Sequence, residues 1–458
     1  MNRALRMRAR VRLRLVLIGL GASVVPLDTA VNIAFPDITR GFHLPIAMIQ
    51  WVVIAYVLTY ASLMLAFGRA GDLFGHGRVF RLGLGWSGAA FLMCAAAPSY
   101  GLLLFFRFLQ GVGAGLVISC APALVIALYP EEERSRALGV FTMIFALGSA
   151  LGPLLGGALA ARWGWPAVFW FRAPVALVPL VLLGRLPAAA RAGMAEPLDV
   201  PGAVFLALAI SAVLLFLNQH EAALRTAFAV AAALGIFAFI RRERRIAAPI
   251  VNLDFFRHAG FAITNLANVA VNLAGFSVLL FGAYYLVRFT RLPLPAAGAV
   301  LAAAFVGMTA ASPVAGWLVA RIGTGRVASL GAALSAAGLF FVGLWNPAFP
   351  HQTITIVLTL ILQGFGLGLF QVAYMETVMR ILPAGQRGVA GSLTMLTRTI
   401  GIVGGASVLT LLFHTFEAAA GGSGADAAFL AAFHGTFRLA AAASAVVAII
   451  AALQKDRG

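Results

Sequence analysis

The chain has 458 residues, 62% of them hydrophobic and only 10% charged, and it carries a formal net charge of +18. No soluble domain could hide that much apolar surface, so a soluble globular protein is excluded. The positive charge is no nucleic-acid footprint either, because the basic residues gather between apolar stretches rather than on one basic segment.

A bilayer crossing takes roughly 20 apolar residues. Fourteen such segments follow one another: near 13–36, 48–67, 79–97, 102–128, 136–158, 167–184, 200–218, 224–240, 260–288, 294–320, 327–345, 354–379, 388–413 and 430–452. The first follows a basic tail, Arg3 to Arg14, and contains LDTAVNIAFP at 27–36. Its length, its Asp28 and the lack of a small-residue cleavage site mark it as a crossing rather than a cleaved signal. Asp28 and Asn32, four apart, share one helix face. The second crossing holds WVVIAYVLTYA (51–61), and GRAGDLFGHGR (68–78) is read as the loop to the third. RFLQGVGAG (107–115) lies in the fourth, with Arg107, Gln110 and Gly111.

The fifth crossing carries GSALGPLLGGAL (148–159). Pro153 removes a backbone hydrogen bond from the helix interior. Gly148, Gly152, Gly156 and Gly157 strip its face, so a neighbouring backbone can approach closely. A bend beside a close-packing face makes a pivot. After the sixth crossing a connector begins near Arg185, followed by two further crossings and the charged stretch RRERR (241–245). GWLVARIGTGR (316–326) then echoes 68–78: each starts with Gly, repeats Gly seven residues later and ends in Arg, with Ala320 standing where the first copy has Asp72. Duplicated halves of this kind are a common transporter design. Most Lys and Arg fall in the tails and in the loops after even-numbered crossings, which predicts cytoplasmic termini.

Together these segments resemble the major facilitator superfamily, specifically its fourteen-span drug/proton antiporter branch. The resemblance covers essentially the whole chain: the loop motif at Gly68, Asp72, Gly75 and Arg78, the fourth-span motif at 107–115, the antiporter motif at 148–159, and RTIGIVGG (398–405) in the thirteenth span. Departures are Leu73 where a basic residue is usual, the four-residue Asp28–Asn32 spacing, WGW at 163–165, and Arg172 two before Pro174. The implied fold is an all-α integral membrane protein of fourteen helices. Residues 1–195 form one six-helix bundle, 196–246 a two-helix insert with a basic stretch, and 247–458 the second bundle.

Ionisable groups at membrane depth are expensive and usually face a cavity or a partner. Asp28 is the acid best placed to take and release a proton, and it could also attract a cationic substrate. The resemblance implies proton coupling for Arg107, a conformational latch for Asp72 with its loop, and a hinge at the fifth-span glycines. Arg172 either snorkels at the outer interface or partners Asp28 or Asp37. Arg398 is either a structural anchor or a site residue. Asn265, Asn268 and Asn272 fall on one face of the ninth span, where they line a substrate path or bridge helices.

No phosphate-cradling GxxxxGK[ST] motif and no metal-ligand His spacing is present, so neither enzyme activity nor a cofactor is expected. Cys94 and Cys120 both fall in crossings and suggest no disulfide framework. The expectation is a bacterial inner-membrane exporter, favoured as a monomer, whose partners are the lipid bilayer, protons and a small amphipathic substrate, with no nucleic acid. Uniport or proton symport of a polar metabolite is the alternative within transport. A non-transporting scaffold or sensor is the alternative outside it.

Overall fold

The computed structural model describes residues 2–183, 199–218, 221–246, 259–348, 352–381, 387–420 and 424–453. In chain order its helices are α1 (Asn2–Ser23), α2 (Ala30–Ile33), α3 (Phe35–Gly41), α4 (Gln50–Phe74), α5 (His76–Ala95), α6 (Tyr100–Leu128), α7 (Glu131–Trp163), α8 (Ala167–Trp170) and α9 (Arg172–Leu182). They continue with α10 (Val200–Asn218), α11 (Ala222–Glu243), α12 (Ala259–Phe289), α13 (Leu294–Ile322), α14 (Thr324–Val342), α15 (Gln352–Ile381), α16 (Arg387–Ala419) and α17 (Ala425–Leu453). No strand occurs among the described residues.

Among the described residues, eleven helices are long and apolar enough to cross a membrane. The segments expected near 79–97, 167–184 and 200–218 are helical as well, but they fall outside that set. The physical reasons differ. α5 is diluted by His76, Arg78, Arg81 and several glycines. The sixth segment gives a single shorter apolar helix, Ala167–Leu182, with Pro166 before it and Pro179 inside it.

Two local expectations are corrected. The first crossing is not one continuous α-helix: α1 stops at Ser23, and Pro26–Thr29 forms a 3-10 turn that leads into α2. A tighter turn of this kind often marks a hinge. The segment 68–78 is not a loop either. α4 runs to Phe74, and a single residue, Gly75 at φ 94°, turns the chain into α5. Gly323 at φ 87° does the same between α13 and α14, so the repeated motif builds the same one-residue connection twice. Each of these glycines donates its N–H to the carbonyl four residues back, Gly71 or Val319. Both occupy backbone space that side chains avoid.

The halves meet along three lines: α7 on α13, α4 on α16, and α2 and α3 on α12. The insert helix α10 packs on α11 and touches both α4 and α16. One apolar core runs through both halves, from Ile18 and Phe35 to Phe281, Phe413 and Phe433.

Candidate functional site

The helix break at Pro26–Thr29 places Asp28 where its carboxylate reaches two other elements. Oδ1 accepts hydrogen bonds from Arg107 Nη1 at 2.6 Å, Arg172 Nη1 at 2.6 Å and Gln110 Nε2 at 3.0 Å, while Oδ2 accepts from Arg107 Nη2 at 2.8 Å. Arg107 therefore grips the carboxylate with both arms of its planar fork. Both guanidiniums are buried, at 1% and 0% exposure, whereas Asp28 keeps 15%. Charges this deep persist only when paired and hydrogen-bonded.

Backbone and aromatic groups hold the two cations in place. Arg107 Nε donates to the Val52 carbonyl at 2.8 Å, and Nη1 donates to Gln110 Oε1 at 2.9 Å. Its guanidinium carbon lies 4.3 Å from the Tyr56 ring centre. Arg172 Nε donates to the Val168 carbonyl at 3.1 Å, and the guanidinium sits 4.6 Å from the Phe91 ring centre. Arg172 thus partners Asp28 and not Asp37, which pairs with Arg40. Arg172 opens α9 one helical residue after α8, and its side chain is buried in the bundle rather than exposed at a membrane interface.

Each carboxylate oxygen offers two lone pairs; Oδ1 accepts three of these hydrogen bonds and Oδ2 only one, so Oδ2 keeps an open acceptor position. The negative charge of an ionised Asp28 is already matched by two guanidiniums. Gly111 lets α6 lie this close to α4: a Cβ there would stand 2.7 Å from the Tyr56 carbonyl oxygen.

A cavity of about 130 Å³ opens beside the cluster, lined by Asp28, Asn32, Tyr56, Tyr60 and Arg107 on one side and by Phe276, Phe305, Arg398 and Thr399 on the other. It lies between the two halves of the chain. Asn32 reaches it because the 3-10 turn and α2 keep Asp28 and Asn32 on the same side.

The α7 glycines sit directly behind this site. Thr29 Oγ1 donates to the Ser149 carbonyl at 3.0 Å, bonding the Asp28 turn to α7. A Cβ on Gly156 would stand 2.6 Å from the Ala30 carbonyl oxygen, and Gly148 faces Pro26. Gly157 turns the other way, onto the Leu294 carbonyl of α13, while Gly298 of α13 lies on the Pro153 carbonyl. α7 runs unbroken through Pro153. One helix thus touches the carboxylate-bearing turn and the opposite half at once.

Other expected site residues lie elsewhere. Asn268 Nδ2 donates to Thr397 Oγ1 at 2.8 Å, Tyr374 OH to Asn265 Oδ1 at 2.9 Å, and Asn272 Nδ2 to Asn268 Oδ1 at 2.9 Å. The three asparagines join α12, α15 and α16, and none of them lines the cavity. Gly68 and Arg78 flank the Gly75 turn, while the Asp72 side chain lies outside the described residues. The residues that sequence reasoning missed are Tyr56, Tyr60, Phe145 and Phe305. Tyr56 and Tyr60 are signalled by their four-residue spacing in an apolar crossing, and Phe145 and Phe305 carry no such signal. No cluster of potential metal ligands occurs among the described residues.

The Major Facilitator Superfamily profile matches residues 17–294. The multidrug resistance protein Stp of Mycobacterium tuberculosis (strain CDC 1551 / Oshkosh) is 30% identical, over 86% of this chain and 74% of its own length. The riboflavin transporter RibZ of Clostridioides difficile (strain 630) is 25% identical, over 87% of each chain. A solved structure of the nucleoside transporter NupG superposes with a TM-score of 0.68 at 12% identity, covering 96% of this chain and 98% of that one.

Proposed function

The chain belongs to the Major Facilitator Superfamily, and on that premise we propose that it is a proton-coupled antiporter of the fourteen-span drug/proton branch, exporting amphipathic drugs or metabolites by alternating access. It is a multi-pass membrane transporter and not an enzyme. In the proposed setting it lies in a bacterial inner membrane with both termini cytoplasmic, six-helix bundles at 1–195 and 247–458, and a two-helix insert at 196–246.

The observation that carries this reading is Asp28, the one carboxylate among the described residues that lines the cavity, held by two buried arginines. When ionised, it draws Arg107, Arg172 and Gln110 onto the turn at residues 26–29. A proton on that carboxylate removes its charge and places a donor among donors. Each charge-assisted hydrogen bond is worth about 1.5–3 kcal/mol, so the turn loosens. Thr29 passes the change to α7 through Ser149, and Gly157 and Pro153 pass it to α13. Gly148, Gly152 and Gly156 keep turn and helix in backbone contact, so a small shift is not absorbed by side chains. The seam between the halves therefore responds to one proton, the requirement of a switch with two packed states. Gly68, Asp72, Gly75 and Arg78 act as the latch at the far end of α4.

Drug efflux is supported by the name of Stp. The name of RibZ favours a second reading, transport of a polar metabolite by uniport or proton symport. Proteoliposomes holding a pH-sensitive dye under an imposed pH gradient separate these. Under antiport, adding substrate dissipates the gradient in the wild type but not in Asp28→Asn or Arg107→Ala. Substrate movement without protons would select uniport. A transport-dependent phenotype untouched by either substitution would select a scaffold.

A further inference from the structure

Asp28, Arg107 and Arg398 are the charged residues that line the cavity, and Arg172 stands behind Asp28. Asp28 is paired with the two N-half arginines, whose charges outnumber its own. Arg398 is different: among the described residues no carboxylate pairs with it and no hydrogen bond holds it. It lies 11 residues into the 33-residue helix α16, roughly 16 Å from the helix start at 1.5 Å per residue. It stands at the start of the apolar crossing Thr397–Ala419 and lines the cavity. Tyr60 and Thr399 are its neighbours on the cavity wall. Three guanidiniums facing one carboxylate leave two positive charges in excess around an otherwise apolar and aromatic chamber. Such a chamber repels a cation and leaves an unmatched cation on its C-half wall, where an uncompensated charge is costly.

We infer that the cargo presents an aromatic ring bearing one anionic group, a carboxylate or sulfonate, and that Arg398 is its counter-ion. This inference rests on the cavity being the transport site proposed above. The ring fits the chamber: about 130 Å³ is close to the ~150 Å³ that takes one benzene ring in an engineered apolar core. Phe276 and Phe305 supply aromatic walls from the same half as Arg398, and Tyr56 and Tyr60 face them. Proton and cargo then occupy opposite walls, Asp28 in the N-half and Arg398 in the C-half. They do not compete for one carboxylate, which is how a cationic cargo would have to work here.

The test measures equilibrium binding of benzoate, benzamide and benzylammonium to the full chain in lipid nanodiscs by saturation-transfer NMR, with empty nanodiscs subtracted. The three probes share a ring and differ in charge. Benzoate should bind best. Arg398→Gln should weaken benzoate by about tenfold, the lower end of one charge-assisted hydrogen bond, while leaving benzamide within about twofold. Arg398→Lys should keep most of the benzoate affinity, and Arg291→Gln, at an exposed site outside the cavity, all of it. Benzylammonium binding tightest to the wild type would overturn the assignment, a ranking that needs no variant to fold. So would benzoate binding that ignores Arg398→Gln. Proton fluxes are scored separately in liposomes. Arg398-dependent benzoate binding without proton movement would leave the cargo assignment standing and remove the antiport reading.

Discussion

Asp28 and Arg172, 144 residues apart in sequence, meet at 2.6 Å through a partly buried hydrogen bond. This bond makes the carboxylate a shared ligand of two cations rather than half of an ordinary ion pair. Removing one member of a buried pair typically costs about 3–5 kcal/mol, because the other charge is left uncompensated. Asp28→Asn leaves two buried guanidiniums facing each other and should lower the thermal midpoint strongly. Arg172→Gln leaves Asp28 gripped by Arg107 and should lower it less. The double variant Asp28→Asn/Arg172→Gln should be more stable than Asp28→Asn alone, since one of the stranded cations is gone. Thermal unfolding of the four proteins in detergent checks this. Additive losses would mean that the two residues are not energetically coupled.

The α7 glycines are expected to matter by position rather than by type. Gly156→Val would drive a side chain into the Ala30 backbone, at 2.6 Å already for a Cβ. It should abolish transport by prising the Asp28 turn from α7. Gly101, around which nothing lies within 4 Å, should tolerate Ala with unchanged transport. Comparing initial transport rates at equal membrane abundance separates the two, and equal losses would argue against a specific packing role.

Gly75 and Gly323 form the two one-residue connections, at φ 94° and 87°. Alanine at either position should cost about 1–3 kcal/mol through backbone strain alone. The two losses should be similar, because the repeated motif builds the same geometry at both places. Limited proteolysis and thermal unfolding would report it. A neutral Gly323→Ala would show that the second copy has relaxed its constraint.

If an anionic cargo leaves as a proton enters, each turnover carries two charges across the membrane in the same electrical sense. Each charge is worth about 2.3 kcal/mol per 100 mV, so an inside-negative potential should accelerate export of an aromatic acid. A potassium gradient with valinomycin supplies that potential in liposomes. Potential-insensitive movement of the same acid would instead mark electroneutral co-transport.

The charged cluster is partly legible in the sequence, because a charge in an apolar crossing is costly enough to need a reason. Asp28 and Arg107 are recognisable on that ground, and so is Arg398. Their pairing is not. The sequence leaves Arg172 between an interface and a partner, and the burial of its guanidinium against Asp28 and the Phe91 ring decides it. The spacing of Asn265, Asn268 and Asn272 reveals a shared helix face but not where that face points. It points into hydrogen bonds with Thr397 and Tyr374, and helix bridging accounts for it. The glycines of 68–78 read as a loop because glycine breaks helices. Only Gly75 does so, since Gly68 and Gly71 serve the helix interior. Residues such as Phe145 and Phe305 look like any core aromatic, and only packing shows that they border a cavity.

The central claim is that the state of Asp28 sets the seam between α7 and α13. Spin labels at Ala161→Cys on α7 and Arg291→Cys just before α13, on a background of Cys94→Ser and Cys120→Ala, report that seam by pulsed distance measurement. With Asp28 intact in alkaline buffer, a short distance should dominate. Acidic buffer, or Asp28→Asn at any pH, should populate a longer one. A distance distribution that is the same in both buffers and unchanged by Asp28→Asn would contradict the account.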